Sequence, residues 1–251
     1  TESFSLVVSS NPADIGIDEK LGADLPLDVP FSDEEGNQLA LRGLLGKPTL
    51  LCLVFYRCSG GCNLLQGGVA EVIRKLQLVP GQDYQVLSIS FDEFDTPERA
   101  RQKKKDFLSA AGETFPTTAW RFLCGDLRSI LAITRAAGFR YIRSENGLQH
   151  QVALIVLSST GKVVRYLYGT KFLPLEVTLA LTEAAEEKIG FGPRKLATLC
   201  FSYDPKTKKY VLNLTRLTGL SVLIGMGLFA LFLWWPRGPR KPGEPKIHEP
   251  N

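Results

Sequence analysis

Thr49 to Tyr56 (TLLCLVFY) is a continuous apolar run with no polar residue at alternate positions after Thr49. A strand of this kind is buried on both faces, so it belongs inside a sheet with further layers above and below. It runs directly into Arg57-Cys58-Ser-Gly-Gly-Cys62-Asn63, and a helix-like stretch follows from Leu64 to Gln77. A strand-to-helix turn exposes side chains at the end of a sheet, and a helix N-terminus favours thiolate through its dipole. If the helix begins near Cys58, the i, i+4 spacing also puts both sulfurs on one helical face. Two low-pKa thiols are therefore expected, suited to redox chemistry, to a soft metal, or to both.

The remaining pattern extends this arrangement. Residues 1–21 read as an extended arm with little regular structure, within a polar, Gly/Pro-punctuated stretch that reaches Pro30. Ser32-Asp-Glu-Glu-Gly-Asn is a polar turn between two short strands, and Tyr84 to Phe91 alternates as a strand. Thr96 is placed to cap a helix that starts at Pro97, carries Glu98 in its first turn and runs to about Ala111. Trp120 to Cys124 is a short strand, and Asp126 caps a helix over Leu127 to Ala137 that stops at Gly138. Val152–Leu157 and Val163–Tyr168 flank Ser158-Ser-Thr-Gly-Lys as a hairpin, and Leu175 to Ile189 forms a last amphipathic helix. This order is a three-layer α/β arrangement, that of a thioredoxin-like fold over 22–189.

Leu217 to Trp235 is uncharged throughout, long enough at helical rise to span a bilayer, and closes on the pair Trp234–Trp235. Residues 190–216 then form a juxtamembrane connector, and 236–251 a disordered cytoplasmic tail. Basic residues stand on both sides of the span, so charge alone leaves orientation open. Thiol chemistry suits an oxidising compartment, which places the globular part outside the cytoplasm and implies a processed chain without its signal. The 251 residues carry a net charge of +4 with no aromatic-interleaved basic stripe, which argues against nucleic acid.

The chemistry turns on a histidine. Dithiol oxidoreductases of this fold use Cys-x-x-Cys and a proline before a later strand. Here the cysteines are one residue further apart, and His150 stands in Asn146-Gly-Leu-Gln-His-Gln-Val, where that proline is expected. This segment packs beside the cysteine loop in such a fold, so His150 should face Cys58 and Cys62. Two thiolates and an imidazole form a soft donor set suited to copper, with Cu(I) favoured by sulfur.

Tyr56-x-Cys58-x3-Cys62, Asp92-x2-Asp95-Thr-Pro-Glu and the single His150 before the hairpin, in that order, resemble the Sco/SenC family. The family comprises membrane-tethered, thioredoxin-like copper chaperones for the copper-A centre of cytochrome c oxidase. The C-terminal anchor and Cys200-Phe-x-Tyr-Asp-Pro resemble a bacterial branch of it. Asn63 departs from the proline many members carry after the second cysteine, and many members anchor at the N-terminus instead. The resemblance implies that Cys58, Cys62 and His150 bind copper, and that the metal-free thiols can reduce a client's cysteines. It implies a partner in cytochrome c oxidase or another membrane respiratory complex. It also implies a single-pass protein of a bacterial inner membrane, with its domain in the periplasm. Asp92 and Asp95 are candidates for orienting the site, beside a plain role in loop and cap formation.

Plainer readings stand beside these. Cys58 and Cys62 suit a structural disulfide or buried thiols, and Cys52 and Cys124 suit small core residues. His248 lies in the tail, and Cys200 suits a partner contact, a free thiol or an accessory ligand. Three functions follow: a copper metallochaperone, a thiol-disulfide oxidoreductase without a stable metal, and an accessory subunit of a respiratory complex. The missing Cys-x-x-Cys and proline count against the second.

Overall fold

The computed structural model describes residues 15–144, 147–188, 201–204 and 209–212, together with Met226. In chain order the first of its two units, Thr1–Gly192, contains β1 (Gly16–Ile17), β2 (Pro30–Ser32), β3 (Gln38–Ala40), β4 (Thr49–Val54) and α1 (Gly61–Ile73). It continues with β5 (Gln85–Ser90), α2 (Pro97–Ala111), β6 (Trp120–Leu123), α3 (Leu127–Ala136), β7 (Phe139–Ser144) and β8 (Gly147–His150). The hairpin β9 (Ala153–Leu157) and β10 (Val163–Tyr168) and the helix α4 (Pro174–Ala185) complete it.

Five strands form one sheet in the order β10-β9-β4-β5-β6, with β4, β5 and β6 parallel and β9 antiparallel to β4. β4 is central, as its unbroken apolar sequence requires. Its side chains alternate between two cores. Leu50, Cys52 and Val54 join Val69, Trp120 and Val177 on the side of α1, α2 and α4, whereas Leu51 and Leu53 join Ile130, Ile133 and Phe139 on the side of α3. Each such Leu or Val contributes roughly 1.5–3 kcal/mol on burial. The resulting helix–sheet–helix layering is the thioredoxin-like α/β arrangement expected from the sequence.

Local signals act largely as read. The Asp126 side chain accepts from the Ser129 amide and caps α3. Gly138 ends that helix at φ 61°, where a Cβ would stand 1.8 Å from the Asp18 carbonyl oxygen. Thr96 holds the N-cap position of α2, but its side chain makes no capping bond there. Two short pairings were not read from the sequence. β7 and β8 form a hairpin of their own, and β1, inside the stretch read as an unstructured arm, pairs with β7 through Gly16↔Arg140 and Ile17↔Phe139.

In the second unit, Pro193–Asn251, β11 (Phe201–Asp204) pairs antiparallel with β12 (Lys209–Leu212). Among the described residues no helix is long and apolar enough to cross a membrane. The span expected at 217–235 lies outside them apart from Met226, as do Cys200 and the tail from 236 to 251.

Candidate metal centre

β4 delivers Phe55, Tyr56, Arg57 and Cys58 to the end of the sheet. Tyr56 anchors this exit: its buried hydroxyl lies 3.0 Å from the Ser88 carbonyl and 2.9 Å from that of Leu123, and its amide donates to Asp95 Oδ2 at 2.6 Å. The chain then turns through Cys58, whose amide bonds the Phe55 carbonyl and whose Sγ accepts from the Gly60 amide at 3.3 Å.

The helix begins at Gly61, so Cys62 stands in its first turn while Cys58 lies in the preceding loop. This corrects the expectation of a shared helical face. The sulfurs are brought together by a turn, not by helical period. A second correction concerns acidity. Cys62 is 1% exposed, and burial pushes its thiol well above the ordinary range despite its place at a helix N-terminus. Desolvation of the anion outweighs the dipole there. Cys58 is half-buried, and both sulfurs are free thiols.

His150 ends β8, opposite Tyr141 of β7. Its Nε2 lies 3.2 Å from Cys62 Sγ, and its Nδ1 lies 2.7 Å from the Gln151 carbonyl oxygen. A carbonyl only accepts, so Nδ1 carries the proton and the Nε2 lone pair faces the sulfur. Phe55, Phe91 and Phe139 surround the ring, with centroids 5.9, 5.0 and 5.8 Å from it. Burial in this aromatic box lowers the imidazole pKa, against the Gln151 carbonyl, and favours the neutral ring. A neutral ring with Nδ1–H held by a carbonyl is the form in which histidine ligates metals.

The ligand atoms of Cys58, Cys62 and His150 all lie within 4.8 Å of one another. Metal–thiolate bonds are about 2.3 Å long, so two donors on one ion stand at most ~4.6 Å apart. The widest separation, at most 4.8 Å, is close to this limit and the Cys62–His150 separation of 3.2 Å lies inside it, so side-chain rotation can bring all three onto one ion. Two sulfurs and one imidazole nitrogen fit copper in chemistry as well as in spacing.

A carboxylate layer lies beneath. Asp92 accepts from Arg57 Nη2 at 2.5 Å and from Arg143 Nη2 at 2.9 Å. Its burial alone would raise its pKa, but these two guanidiniums hold it below the ordinary carboxylate value. Asp95 is raised instead, because burial outweighs its bonds from Ser90 and the Tyr56 amide. Cys52 and Cys124 are buried at 0% and 5% exposure, each thiol pushed up to about 12 by desolvation, as fits core residues. The aromatic box, the Gln151 carbonyl, Arg57 and Arg143 were not identified from sequence. The alternation in Phe139-Arg-Tyr-Ile-Arg after the Gly138 stop was the available sign of β7.

No protein-family model matches the chain, and no curated relative does. Solved structures do. A protein of Aquifex aeolicus VF5, provisionally assigned to electron transfer, matches at TM-score 0.60 and 28% identity over 66% of this chain and 95% of its own. Arabidopsis thaliana ScoI with copper bound matches at TM-score 0.50 and 21% identity, over 63% of this chain and 96% of its own. BsSco, a member of the Sco family of cytochrome c oxidase assembly proteins, matches at TM-score 0.50 and 21% identity, over 68% and 98%. The motif-based resemblance is thus matched in three dimensions, and the described domain has the fold of the Sco/SenC proteins.

Proposed function

We propose that this protein is a membrane-tethered copper-binding protein that assists assembly of the copper-A centre of a cytochrome c oxidase, delivering copper through Cys58, Cys62 and His150. The observation that carries this reading is the meeting of two sulfurs and the unprotonated Nε2 within 4.8 Å. The copper-bound ScoI structure and the oxidase-assembly family of BsSco support it by likeness of fold. The apolar run 217–235 supports a tether that holds the domain at an extracytoplasmic membrane face, in a bacterial inner membrane, near such a client.

Reduction of client cysteines by the same pair is a secondary part of the proposal. Cys58, half-buried beside the Gly60 amide, is the sulfur placed to attack a disulfide, and Cys62 is the one placed to resolve the mixed disulfide. The raised pKa of Cys62 argues against a fast stand-alone oxidoreductase.

Metal content of the purified full chain tests the reading. It should carry about one copper per chain, and Cys58→Ser, Cys62→Ser and His150→Ala should each lose it. Reduction of an insulin disulfide should be slow. Vigorous insulin reduction, together with no copper retained, would replace this reading with the oxidoreductase one. Stable co-purification with an oxidase in detergent would replace it with that of an accessory subunit.

A further inference from the structure

The two halves of the site come from different parts of the fold. Cys58 and Cys62 hang from the central strand β4, whereas His150 sits at the end of the β7–β8 hairpin, which belongs to a separate three-stranded sheet with β1. β9 of the main sheet starts at Ala153 and fixes the chain's exit from His150, and Phe55 and Phe91 pack against the hairpin through the rings of His150, Phe139 and Tyr141.

One carboxylate adds a charged link across the same gap. Asp92, with its side chain 2% exposed, receives one guanidinium on each oxygen: Arg57, the residue before Cys58, on Oδ2, and Arg143, in the strand paired with that of His150, on Oδ1. Arg143 also bonds Glu93 Oε2 at 2.7 Å, and its guanidinium lies 5.1 Å from the Phe94 ring centroid. Asp92 is itself held, with its amide donating to Ser90 Oγ and its Oδ1 accepting from the Phe94 amide.

We propose that Arg57, Asp92 and Arg143 form a bridge that positions His150 against the two cysteines, with Arg143 the positioning residue on the histidine side. The inference rests on the copper reading for its consequence but not for its geometry. Both arginines are partly exposed, 45% and 34% at the side chain, but the carboxylate they share is 2% exposed, so removing one guanidinium also costs some global stability. The bridge's own effect is on the spacing of ligands, where supporting contacts govern affinity about 10–100-fold.

The experiment compares the full-length chain with Arg143→Ala, Arg143→Lys, Arg57→Ala and a control, Arg42→Ala, which removes an exposed bidentate pair with Asp28. Cu(I) affinity is read by chelator competition, nitrogen coupling from the Cu(II) paramagnetic spectrum, and amide exchange across 147–150 in the metal-free protein. Arg143→Ala should weaken copper binding about tenfold, diminish the nitrogen coupling and raise metal-free exchange at 147–150 severalfold. Arg57→Ala should act in the same direction from the cysteine side. Arg143→Lys, which keeps charge without the planar fork, should fall between, and Arg42→Ala should change nothing. Parental affinity and nitrogen coupling in Arg143→Ala would overturn the bridge. If the parent chain binds no copper, the copper reading fails by itself. Metal-free exchange then decides the bridge, and an unchanged rate at 147–150 in Arg143→Ala overturns it.

Discussion

His150 Nε2 lies 3.2 Å from Cys62 Sγ across 88 residues of chain, with Nδ1–H held by the Gln151 carbonyl. The imidazole is thereby set with its free lone pair toward the sulfurs before any ion arrives. His150→Ala should leave Cys58 accessible to a maleimide while lowering Cu(I) affinity by more than about tenfold, or 1.4 kcal/mol. Chelator competition measures it. Wild-type affinity in this variant would remove His150 from the site.

Phe91 is 1% exposed and contacts the rings of Phe55, Phe139, Tyr141 and His150. Phe91→Ala should cost about 3–5 kcal/mol through lost burial and an unfilled cavity. Denaturant unfolding reads this cost. Phe91→Leu should recover most of the stability. It should recover less of the copper affinity, because a leucine does not restore the flat wall beside the imidazole.

Gly68 in α1 packs so closely that a Cβ there would stand 1.9 Å from the Thr170 carbonyl oxygen. Gly68→Ala should therefore destabilise by about 1–3 kcal/mol, against the usual gain from alanine in a helix. The same displacement shifts the helix that carries Cys62. Copper affinity should fall together with the unfolding midpoint, and a stabilised variant would show that the approach relaxes freely.

Glu34 lies under the sheet edge, bonded by Lys104, Arg121 and the Phe122 amide. Burial alone would raise its pKa, yet these donors hold it below the ordinary value, and Asp33 is held low beside it. A carboxylate with a depressed folded pKa contributes stability above its unfolded pKa of about 4 and loses it as pH falls through the folded value. Asp95, which burial raises, works in the opposite sense and offsets part of this. Glu34→Gln should lower stability at pH 7 by about 3 kcal/mol and flatten the acid limb of the stability profile. Unfolding midpoints measured between pH 7 and pH 3 test it, and an acid limb parallel to the parent's would contradict the assignment.

The central strand, the cysteine turn, the capped α3 and the β9–β10 hairpin were legible because each is set by contacts within a short stretch. Thr49 to Val54 has no polar face to expose, and Asp126 needs only Ser129 three residues on. The β7–β8 hairpin was not legible in the same way. Its strands pair with each other and with the two residues of β1, so no long periodic run announces it.

The sequence by itself determined the layered α/β class, the donor types and the motif order Cys58, Cys62, Asp92, His150, because residue chemistry and hydrophobic period are local properties. Tertiary structure alone decided that Cys58 stands outside the helix, that Cys62 is buried enough to hold its proton, and that the imidazole presents Nε2. It also decided that one carboxylate joins Arg57 to Arg143. The buried thiol and the carboxylate link depend on desolvation and on groups far apart in the chain, whereas the helix start at Gly61 and the Gln151 carbonyl are local features of backbone conformation that no side-chain pattern marks.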